Sequence, residues 1–237
     1  MSYVRMTRDD AFEPTGFPGY TMQMLAHPES ATFINSRVAA GGHAADRHVH
    51  DADQLYFVVE GEMQVELGDT RHQAGAGSLV YIPAGLPHRN WNEGPGPEFH
   101  FEMIVPSARP GRPLLTLVGE AALSARSENG YVAAVNAPSG QGVTLQRLTA
   151  SPSRADVSIC DEPAGSPAAD VHAHDFDQFY YLLRGSLSVQ VGEAEHEVGE
   201  GTLVMLPTGI LHSSANRSGA AVRYLVVNIP GQPSSAA

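Results

Sequence analysis

This 237-residue chain lacks three features that would indicate a secreted or membrane protein. It has a single cysteine, Cys160, so no disulfide can form within the chain and nothing implies an oxidising compartment. No apolar run approaches the ~18 residues of a membrane-spanning helix. The N-terminal stretch MSYVRMTRDDAFEP also lacks the apolar region of a signal peptide. We therefore expect a soluble, cytoplasmic protein.

Positive charge is also scarce. The chain carries 14 arginines and no lysine against 26 aspartates and glutamates, which gives a formal net charge of −12. An acidic surface repels phosphate backbones and anionic lipids, so neither nucleic acid nor a membrane is an expected partner. With 42% hydrophobic and 17% charged residues, the composition is that of a globular protein. A small-molecule substrate is the expected partner, and a homodimer is an arrangement that the composition leaves open.

Helical periodicity is scarce as well, and the chain is organised instead by an internal repeat. The segment HVHDADQLYFVVEGEMQVELGD, from His48, matches HAHDFDQFYYLLRGSLSVQVGE, from His172. Further on, GSLVYIPAGLPHRNWN, from Gly77, matches GTLVMLPTGILHSSAN, from Gly201. The matched landmarks are 124 residues apart throughout, which indicates two copies of one fold.

The local pattern within each copy is that of short β-strands. LYFVVEGEMQVELGD and FYYLLRGSLSVQVGE join short apolar runs, rich in β-branched and aromatic residues, through glycine and polar residues. Gly61 and Gly185 fall where a hairpin needs a positive φ. Many short strands joined by regular turns predict an all-β sandwich or barrel.

Histidine and glutamine recur at matching positions in the two copies. His48, His50 and Gln54 have equal parity, so on a strand their side chains would point to one face. His88 follows a Pro-x-Gly turn on a later strand, and closure of a small barrel would bring it opposite the other three. The corresponding set in the second copy is His172, His174, Gln178 and His212. Four donors of this kind predict a transition-metal site without selecting the metal.

These landmarks resemble the two sequence motifs of the cupin superfamily. The first motif is represented here by Gly42, His48, His50, Gln54 and Gly61. The second motif occurs twice, as Gly77, Pro83, Gly85, His88 and Asn92, and as Gly201, Pro207, Gly209, His212 and Asn216. The resemblance covers most of residues 35–106 and 157–230.

The resemblance implies an all-β fold of two tandem cupin barrels, each a double-stranded β-helix or jelly roll. We place the N-terminal barrel in residues 1–110, a linker in residues 111–130 and the C-terminal barrel in residues 131–237. It also implies one divalent transition metal in each barrel, two per chain. The candidates are Fe, Mn, Ni, Zn, Cu and Co, with Fe or Zn favoured.

In both copies, glutamine stands where the family usually has glutamate. A glutamate ligand brings negative charge and can act as a base, whereas an amide is neutral and has no useful basicity. A metal held by three imidazoles and one amide oxygen would keep its full positive charge as a Lewis acid. Any base must therefore come from a residue outside the ligand set.

The two copies differ in the polar residues that accompany the ligands. The candidate catalytic residues of the first copy are Tyr56, Arg89, His100 and Glu102, with His100 and Glu102 as acid–base groups. The last three of these positions are occupied in the second copy by Ser213, Tyr224 and Val226. We therefore expect the first pocket to be better equipped for proton transfer than the second.

The chain resembles the bacilysin-pathway isomerase, a bicupin of about this size with two such sites. It also resembles quercetin-dioxygenase-like bicupins, which share the double barrel but typically keep glutamate. From family frequency rather than from any residue, we narrowly favour a quercetinase-like dioxygenase acting on a small oxygenated organic substrate. The first alternative is a redox-neutral isomerase or cyclase that uses the metal as a Lewis acid. The second is a non-catalytic bicupin that binds a small ligand. Two complete metal sites favour an enzyme over that second alternative.

Overall fold

The computed structural model describes residues 3–107, 111, 113–119, 130–136, 142–150 and 154–230. In these ranges the regular structure is β-strand, with one short 3-10 turn at Asp9–Ala11. No helix within them has the length and apolarity needed to cross a bilayer. The chain divides into two compact units: Thr7–Val135, which we call the first barrel, and Met1–Met6 with Asn136–Ala237, the second barrel. The first strand of the chain, β1 (Val4–Met6), belongs to the second barrel.

The first barrel consists of two antiparallel sheets. Its strands are β2 (Glu13–Pro14), β3 (Tyr20–Ala26), β4 (Thr32–Val38), β5 (His48–Val49), β6 (Asp53–Glu60), β7 (Glu62–Leu67), β8 (Thr70–Gly75), β9 (Ser78–Ile82), β10 (His88–Trp91), β11 (Glu98–Val105), β12 (Thr116–Leu117) and β13 (Tyr131–Ala134). The larger sheet has the order β13-β9-β6-β11-β4-β3-β2, and the smaller has the order β12-β5-β10-β7-β8. Val58, Met63, Val65 and Val80 are buried in one apolar cluster, which forms the core.

The second barrel repeats this plan with fewer strands. Its remaining strands are β14 (Thr144–Arg147), β15 (Asp156–Glu162), β16 (Asp177–Arg184), β17 (Leu187–Val191), β18 (Ala194–Val198), β19 (Thr202–Leu206), β20 (His212–Ala215) and β21 (Val222–Ile229). One sheet has the order β1-β19-β16-β21-β15-β14, and the other has the order β18-β17-β20. Leu182, Leu187, Val189 and Val204 are buried in its core.

The strand bounds reproduce the repeat seen in the sequence. The pairs β6 and β16, β9 and β19, and β11 and β21 begin and end at residues that differ by the same offset. The fold-class prediction of two tandem all-β barrels is therefore confirmed.

The ends of the two units differ from the predicted boundaries. β13 pairs with β9, with Val132 opposite Val80, so residues 131–135 lie with the first barrel rather than the second. β1 pairs with β19, with Val4 opposite Val204, so residues 1–6 lie with the second barrel. Each of these strands covers an open sheet edge, whose unpaired backbone groups need partners. Both lie outside the repeated segments, where the sequence offers no matching landmark.

Part of the predicted linker, residues 111–130, also belongs to the first barrel. Within it, residues 112 and 120–129 lie outside the described residues. In the described part, β12 pairs with β5, with Thr116 opposite Val49, and the Val118 N–H donates to the Arg47 carbonyl over 3.0 Å. We call residues 113–118 the strap, because they lie along the strand that carries a predicted metal ligand.

The hairpin between β6 and β7 depends on glycine. Gly61 has a φ of +77°, and a Cβ at this position would lie 2.5 Å from the Pro97 carbonyl oxygen. Gly185 occupies the same place in the second barrel, with a φ of +81° and the Ala221 carbonyl 2.9 Å from a Cβ. Both the backbone conformation and the close approach of a neighbouring strand therefore exclude a side chain.

Replacing Gly61 with alanine should destabilise the first barrel by about 2–4 kcal/mol, because the methyl group meets backbone atoms and the positive φ is strained. Gly75→Ala is the matched control, since nothing lies within 4 Å of its Cβ position. Trp91 is the only tryptophan of the chain and lies in the first barrel, so fluorescence-detected urea unfolding reports on this unit. Equal unfolding midpoints for the two variants would contradict the prediction.

Candidate metal centre

The four predicted ligands of the first barrel come from both of its sheets. His48 lies in β5 and is paired with His88 in β10, within the smaller sheet. The chain then crosses to the larger sheet, so His50 lies in the connection and Gln54 lies in β6. The equal parity of the first three residues suggested one strand face. The structure instead brings them together by a change of sheet.

Backbone carbonyls fix the orientation of all three imidazoles. The Nδ1 atom of His48 donates to the Asp46 carbonyl over 2.8 Å, and that of His88 donates to the Leu86 carbonyl over 2.9 Å. His50 donates from Nδ1 to the carbonyl of Leu114, in the strap, over 2.6 Å. A proton held on Nδ1 leaves the lone pair on Nε2, which is the tautomer that binds a metal.

The Gln54 amide is oriented by a carboxylate. Its Nε2 atom donates to Oε1 of Glu102 over 2.6 Å, so its oxygen is turned the other way. The Gln54 Oε1 atom and the Nε2 atoms of His50 and His88 are buried and have no hydrogen-bond partner among the described residues. Buried polar atoms without partners are costly, and a cation would satisfy all of them.

Burial favours the neutral form of two of these histidines, His48 and His88. It lowers the pKa of His48 to about 4 and holds the pKa of His88 well below its usual value. The imidazoles of His48, His50 and His88 place their ligand atoms within 4.8 Å of one another. Neutral, converging nitrogens are what a divalent transition metal requires, so these residues fit the metal that the sequence predicts.

The second barrel contains a matching but more open set. His172 donates from Nδ1 to the Asp170 carbonyl over 2.7 Å, and His212 to the Ile210 carbonyl over 3.0 Å. Gln178 donates from Nε2 to Oδ1 of Asn228 over 2.9 Å, and its Oε1 has no described partner. Burial lowers the pKa of His174 and of His212. The His172 and His174 side chains are partly exposed, whereas all three histidines of the first barrel are buried.

An aspartate holds the turn that precedes the last histidine in each barrel. In the first barrel, Asp53 accepts from the Ala84 N–H over 3.0 Å and from the Tyr81 hydroxyl over 2.9 Å. In the second, Asp177 accepts from the Thr208 N–H over 2.8 Å. These carboxylates hold the Pro-x-Gly turns in place.

A small cavity of about 160 Å³ opens beside the ligands of the first barrel. Its wall is mainly apolar and includes the ligands His48, His50 and Gln54. The other lining residues are Thr15, Phe17, Tyr20, Met22, Ile34, Ala44, Ala45, Tyr56, Glu102, Leu114 and Leu115. A wider depression of about 530 Å³ adjoins the strap and shares His50, Leu114 and Leu115 with the cavity. The strap therefore forms a wall of the metal centre and also orients one of its ligands.

The predicted catalytic residues occupy three kinds of position. Tyr56 and Glu102 line the cavity. His100 is fully buried and reaches the cavity wall through Tyr20. Arg89 is on the outer face of β10, where it pairs with Glu66 at 2.8 Å and its side chain is 47% exposed. Alternation along the strand explains this placement, because His88 points inward and its neighbour must point outward.

Three contributors were missed by the sequence prediction. Tyr20 lies before the repeated segments, and the strap lies after the first of them, so neither has an alignable counterpart. Glu98 could have been found from the sequence, because it has the same parity as His100 and Glu102 and therefore shares their face of one strand.

Comparison with known proteins agrees with the fold and the motifs. The model of the cupin domain matches residues 35–105 and again residues 158–228, which together make up more than half of the chain. The protein therefore belongs to the cupin family and is a bicupin. A 40-residue stretch is 42% identical to the uncharacterized protein SCO3923 of Streptomyces coelicolor; this stretch is 17% of this chain and 38% of that protein.

Several solved structures share the fold over almost the whole chain. AerE from Microcystis aeruginosa has a TM-score of 0.73 at 15% identity, covering 97% of this chain and 99% of its own. The putative glyoxylate induced protein of Pseudomonas aeruginosa has a TM-score of 0.73 at 18% identity, covering 97% and 88%. A variant of the oxalate decarboxylase of Bacillus subtilis has a TM-score of 0.70 at 13% identity, covering 97% and 77%. These TM-scores show a common fold, and at sequence identities this low they show the fold alone.

His88→Ala should remove the metal of the first barrel and leave that of the second, because each site has its own complete ligand set. The metal content measured by elemental analysis should fall from two ions per chain to one. His212→Ala is the matched variant and should also retain one ion. A content of two in either variant would refute the ligand assignment.

The two glutamines should respond differently to replacement by glutamate. In the His88→Ala background, Gln178→Glu should slow metal release to a chelator by roughly tenfold or more, because it adds a charge beside neutral Asn228. In the His212→Ala background, Gln54→Glu should slow metal release by a smaller factor. The new carboxylate lies at hydrogen-bonding distance from Glu102, and the two negative charges repel each other. Unchanged release from the Gln178→Glu protein would show that this residue is not a ligand.

Proposed function

We propose that the protein is a metal-dependent enzyme whose first barrel transfers a proton on a small oxygenated organic substrate, as an isomerase or cyclase does. One observation carries the proposal. Two unpartnered donors of the metal centre, His50 Nε2 and Gln54 Oε1, belong to residues that line a cavity. The wall of this cavity also holds Glu102 and two tyrosines, Tyr20 and Tyr56. Groups that exchange protons beside such a centre favour an enzyme over a protein that only binds a ligand.

The protein and the metal divide the chemistry between them. A divalent transition metal held by His48, His50, His88 and Gln54 would supply Lewis acidity toward a carbonyl or hydroxyl oxygen. All four protein donors are neutral and contribute no base. The Glu102 carboxylate, which holds the Gln54 amide and faces the cavity, supplies the basic oxygen that the ligand set lacks.

The cavity wall also constrains the substrate. The described lining residues include no arginine or lysine, so a dicarboxylate would meet Glu102 without a compensating cation. Phe17, Met22 and Ile34 provide an apolar surface that excludes water and suits a hydrocarbon portion. We therefore propose a neutral or singly charged substrate with an enolisable carbonyl group.

Cavity size bears on the quercetinase-like dioxygenase that family frequency favours. Pockets for drug-sized ligands have volumes of ~300–1,000 Å³, and this cavity has about 160 Å³. A flavonol is drug-sized, so the cavity beside the ligands suits a smaller substrate than a quercetinase-like enzyme would bind. The second barrel carries Val226 where the first has Glu102. We assign the activity to the first barrel for this reason.

The metal-loaded protein should catalyse exchange of the α-hydrogens of small ketones and hydroxyketones with D₂O, which NMR measures without knowledge of the natural substrate. His212→Ala should retain this exchange, because its first barrel is intact. His88→Ala should lose it by at least about a hundredfold, the usual scale of acid–base and Lewis-acid contributions.

Oxygen separates the two chemical branches in the same assay. Exchange at equal rates in air and under nitrogen, without oxygen uptake, is expected of the redox-neutral enzyme. Oxygen consumption coupled to loss of the compound would sink the proposal in favour of the dioxygenase. Exchange that His212→Ala abolishes and His88→Ala retains would place the activity in the second barrel and contradict the assignment.

A further inference from the structure

Strand β11 carries three acid–base residues that a barrel of this fold does not require. Glu98, His100 and Glu102 alternate along the strand and are 1%, 0% and 6% exposed. The matching positions of β21 in the second barrel are Val222, Tyr224 and Val226. The second barrel thus forms the same strand with two valines and a tyrosine, so the charged set of the first barrel needs an explanation other than folding.

Two of these residues form a chain of hydrogen bonds that ends at the cavity. The His100 Nδ1 atom lies 2.9 and 3.0 Å from the two carboxylate oxygens of Glu98 and donates to them. The His100 Nε2 atom lies 3.2 Å from the Tyr20 hydroxyl. Tyr20 lines the cavity beside the metal centre, so it connects the buried pair to the space that a substrate would occupy.

The energetics favour a functional role for this chain. Taking a histidine and a glutamate fully out of water costs several kcal/mol, and a buried pair seldom returns more than an apolar replacement would. His100 is also packed edge-on against Tyr20 and Tyr56, with ring centroids 6.1 and 5.0 Å away. These contacts hold the imidazole in one orientation, with one nitrogen facing Glu98 and the other facing Tyr20.

We infer that Tyr20 is a second acid–base residue of the first barrel, and that His100 and Glu98 are positioning residues that accept and stabilise its proton. This inference rests on the proposed function of the same cavity. The cavity is roughly 7 Å across if taken as spherical, which is the scale of a small ligand. A molecule that touches the metal ligands there also reaches the Tyr20 side chain.

The proton balance of this relay is simple. As a substrate hydroxyl gives its proton to the Tyr20 oxygen, Tyr20 gives its own proton to Nε2 of His100. The imidazolium that forms stays paired with the Glu98 carboxylate, and the reverse sequence returns the proton. No ionised tyrosine is needed, in accord with the burial and the nearby Glu102 that raise the pKa of Tyr20 well above its usual value.

The surroundings of His100 favour its acceptance of a proton. Burial lowers the pKa of His100, but the Glu98 and Glu102 carboxylates raise it by more, and the net shift is upward. The titratable groups that face the imidazole are these two glutamates on β11, Tyr20 on β3 and Tyr56 on β6.

Tyr20→Phe and Glu98→Gln test the relay in the metal-loaded full chain. Tyr20→Phe should slow ketone exchange about a hundredfold, and Glu98→Gln about tenfold, because its amide keeps the hydrogen bond but loses the charge. The double variant should be no slower than Tyr20→Phe, because groups that act as a unit are not additive. The acid limb of the pH profile should shift in Glu98→Gln, and both variants should keep two metal ions. Additive effects of the two substitutions would overturn the relay.

Tyr224→Phe is the matched control. Its hydroxyl donates to buried Glu162 in the second barrel, so Tyr224→Phe, like Tyr20→Phe, removes one buried hydrogen bond of a tyrosine hydroxyl. We expect lower stability and an unchanged exchange rate. A loss of exchange equal to that of Tyr20→Phe would show that the effect is structural.

A second readout separates this inference from the proposed function. In the Co²⁺-loaded His212→Ala protein, acetohydroxamate binding to the first site is followed by the visible spectrum. Tyr20→Phe should weaken it by about fivefold or more, through loss of one hydrogen bond to the bound probe, and should move the ¹⁵N shift of His100 Nε2. The wild-type protein could fail to catalyse hydrogen exchange of ketones while Tyr20→Phe still weakens acetohydroxamate binding and moves the ¹⁵N shift. That result would contradict the proposed function and support the contact of Tyr20 with the bound ligand. Unchanged affinity and an unchanged ¹⁵N shift would overturn the inference.

Discussion

The hydrogen bond from Gln54 to Glu102 is the interaction on which the rest of the first barrel depends. It commits the amide nitrogen to Glu102 and leaves the amide oxygen buried, with no hydrogen-bond partner among the described residues. It also places a negative charge next to the centre without making it a ligand. Where the family usually has a glutamate as a metal ligand, this barrel has a neutral glutamine. The negative charge lies instead on Glu102, beside the ligand, from where it can act on a substrate.

The second barrel shows what the same scaffold does without that charge. Gln178 is held by the neutral side chain of Asn228, and two of its three histidines are partly exposed. His50 of the first barrel is bonded to the strap, whereas His174 stacks on the Phe176 ring at 4.4 Å. The duplicated fold preserves the donors in both barrels. Among the described residues, only the donors of the first barrel are accompanied by a network of Glu98, His100, Glu102 and Tyr20.

Sequence patterns predicted the parts of this structure that obey local rules. Strand periodicity and the 124-residue repeat predicted the two barrels, and the motif spacing predicted the six histidines that the structure brings together in two groups of three. The assignment of β1 to the second barrel and of β13 to the first could not be predicted by such rules. Both strands are short and are stabilised by pairing with the edge of a sheet. The change of sheet after Val49 could not be predicted either. His48, His50 and Gln54 have equal parity whether the strand continues or the chain crosses to the other sheet.

The catalytic surroundings were predicted only in part for a similar reason. Glu102 could be placed by parity, and the same rule, applied from the inward-facing ligand His88, would have placed Arg89 on the outer face. Tyr20 and the strap approach the site through tertiary packing across long stretches of chain, which no local spacing encodes.

The central claim is that the first barrel holds its metal through a neutral amide while Glu102 stands beside the metal as a free carboxylate. Anomalous diffraction from crystals of the metal-loaded protein tests it most directly. We predict density joining the ion to Nε2 of His48, His50 and His88 and to the oxygen of Gln54, with Glu102 bonded to the amide nitrogen. An ion bound by the Glu102 carboxylate, with Gln54 turned away, would contradict the account.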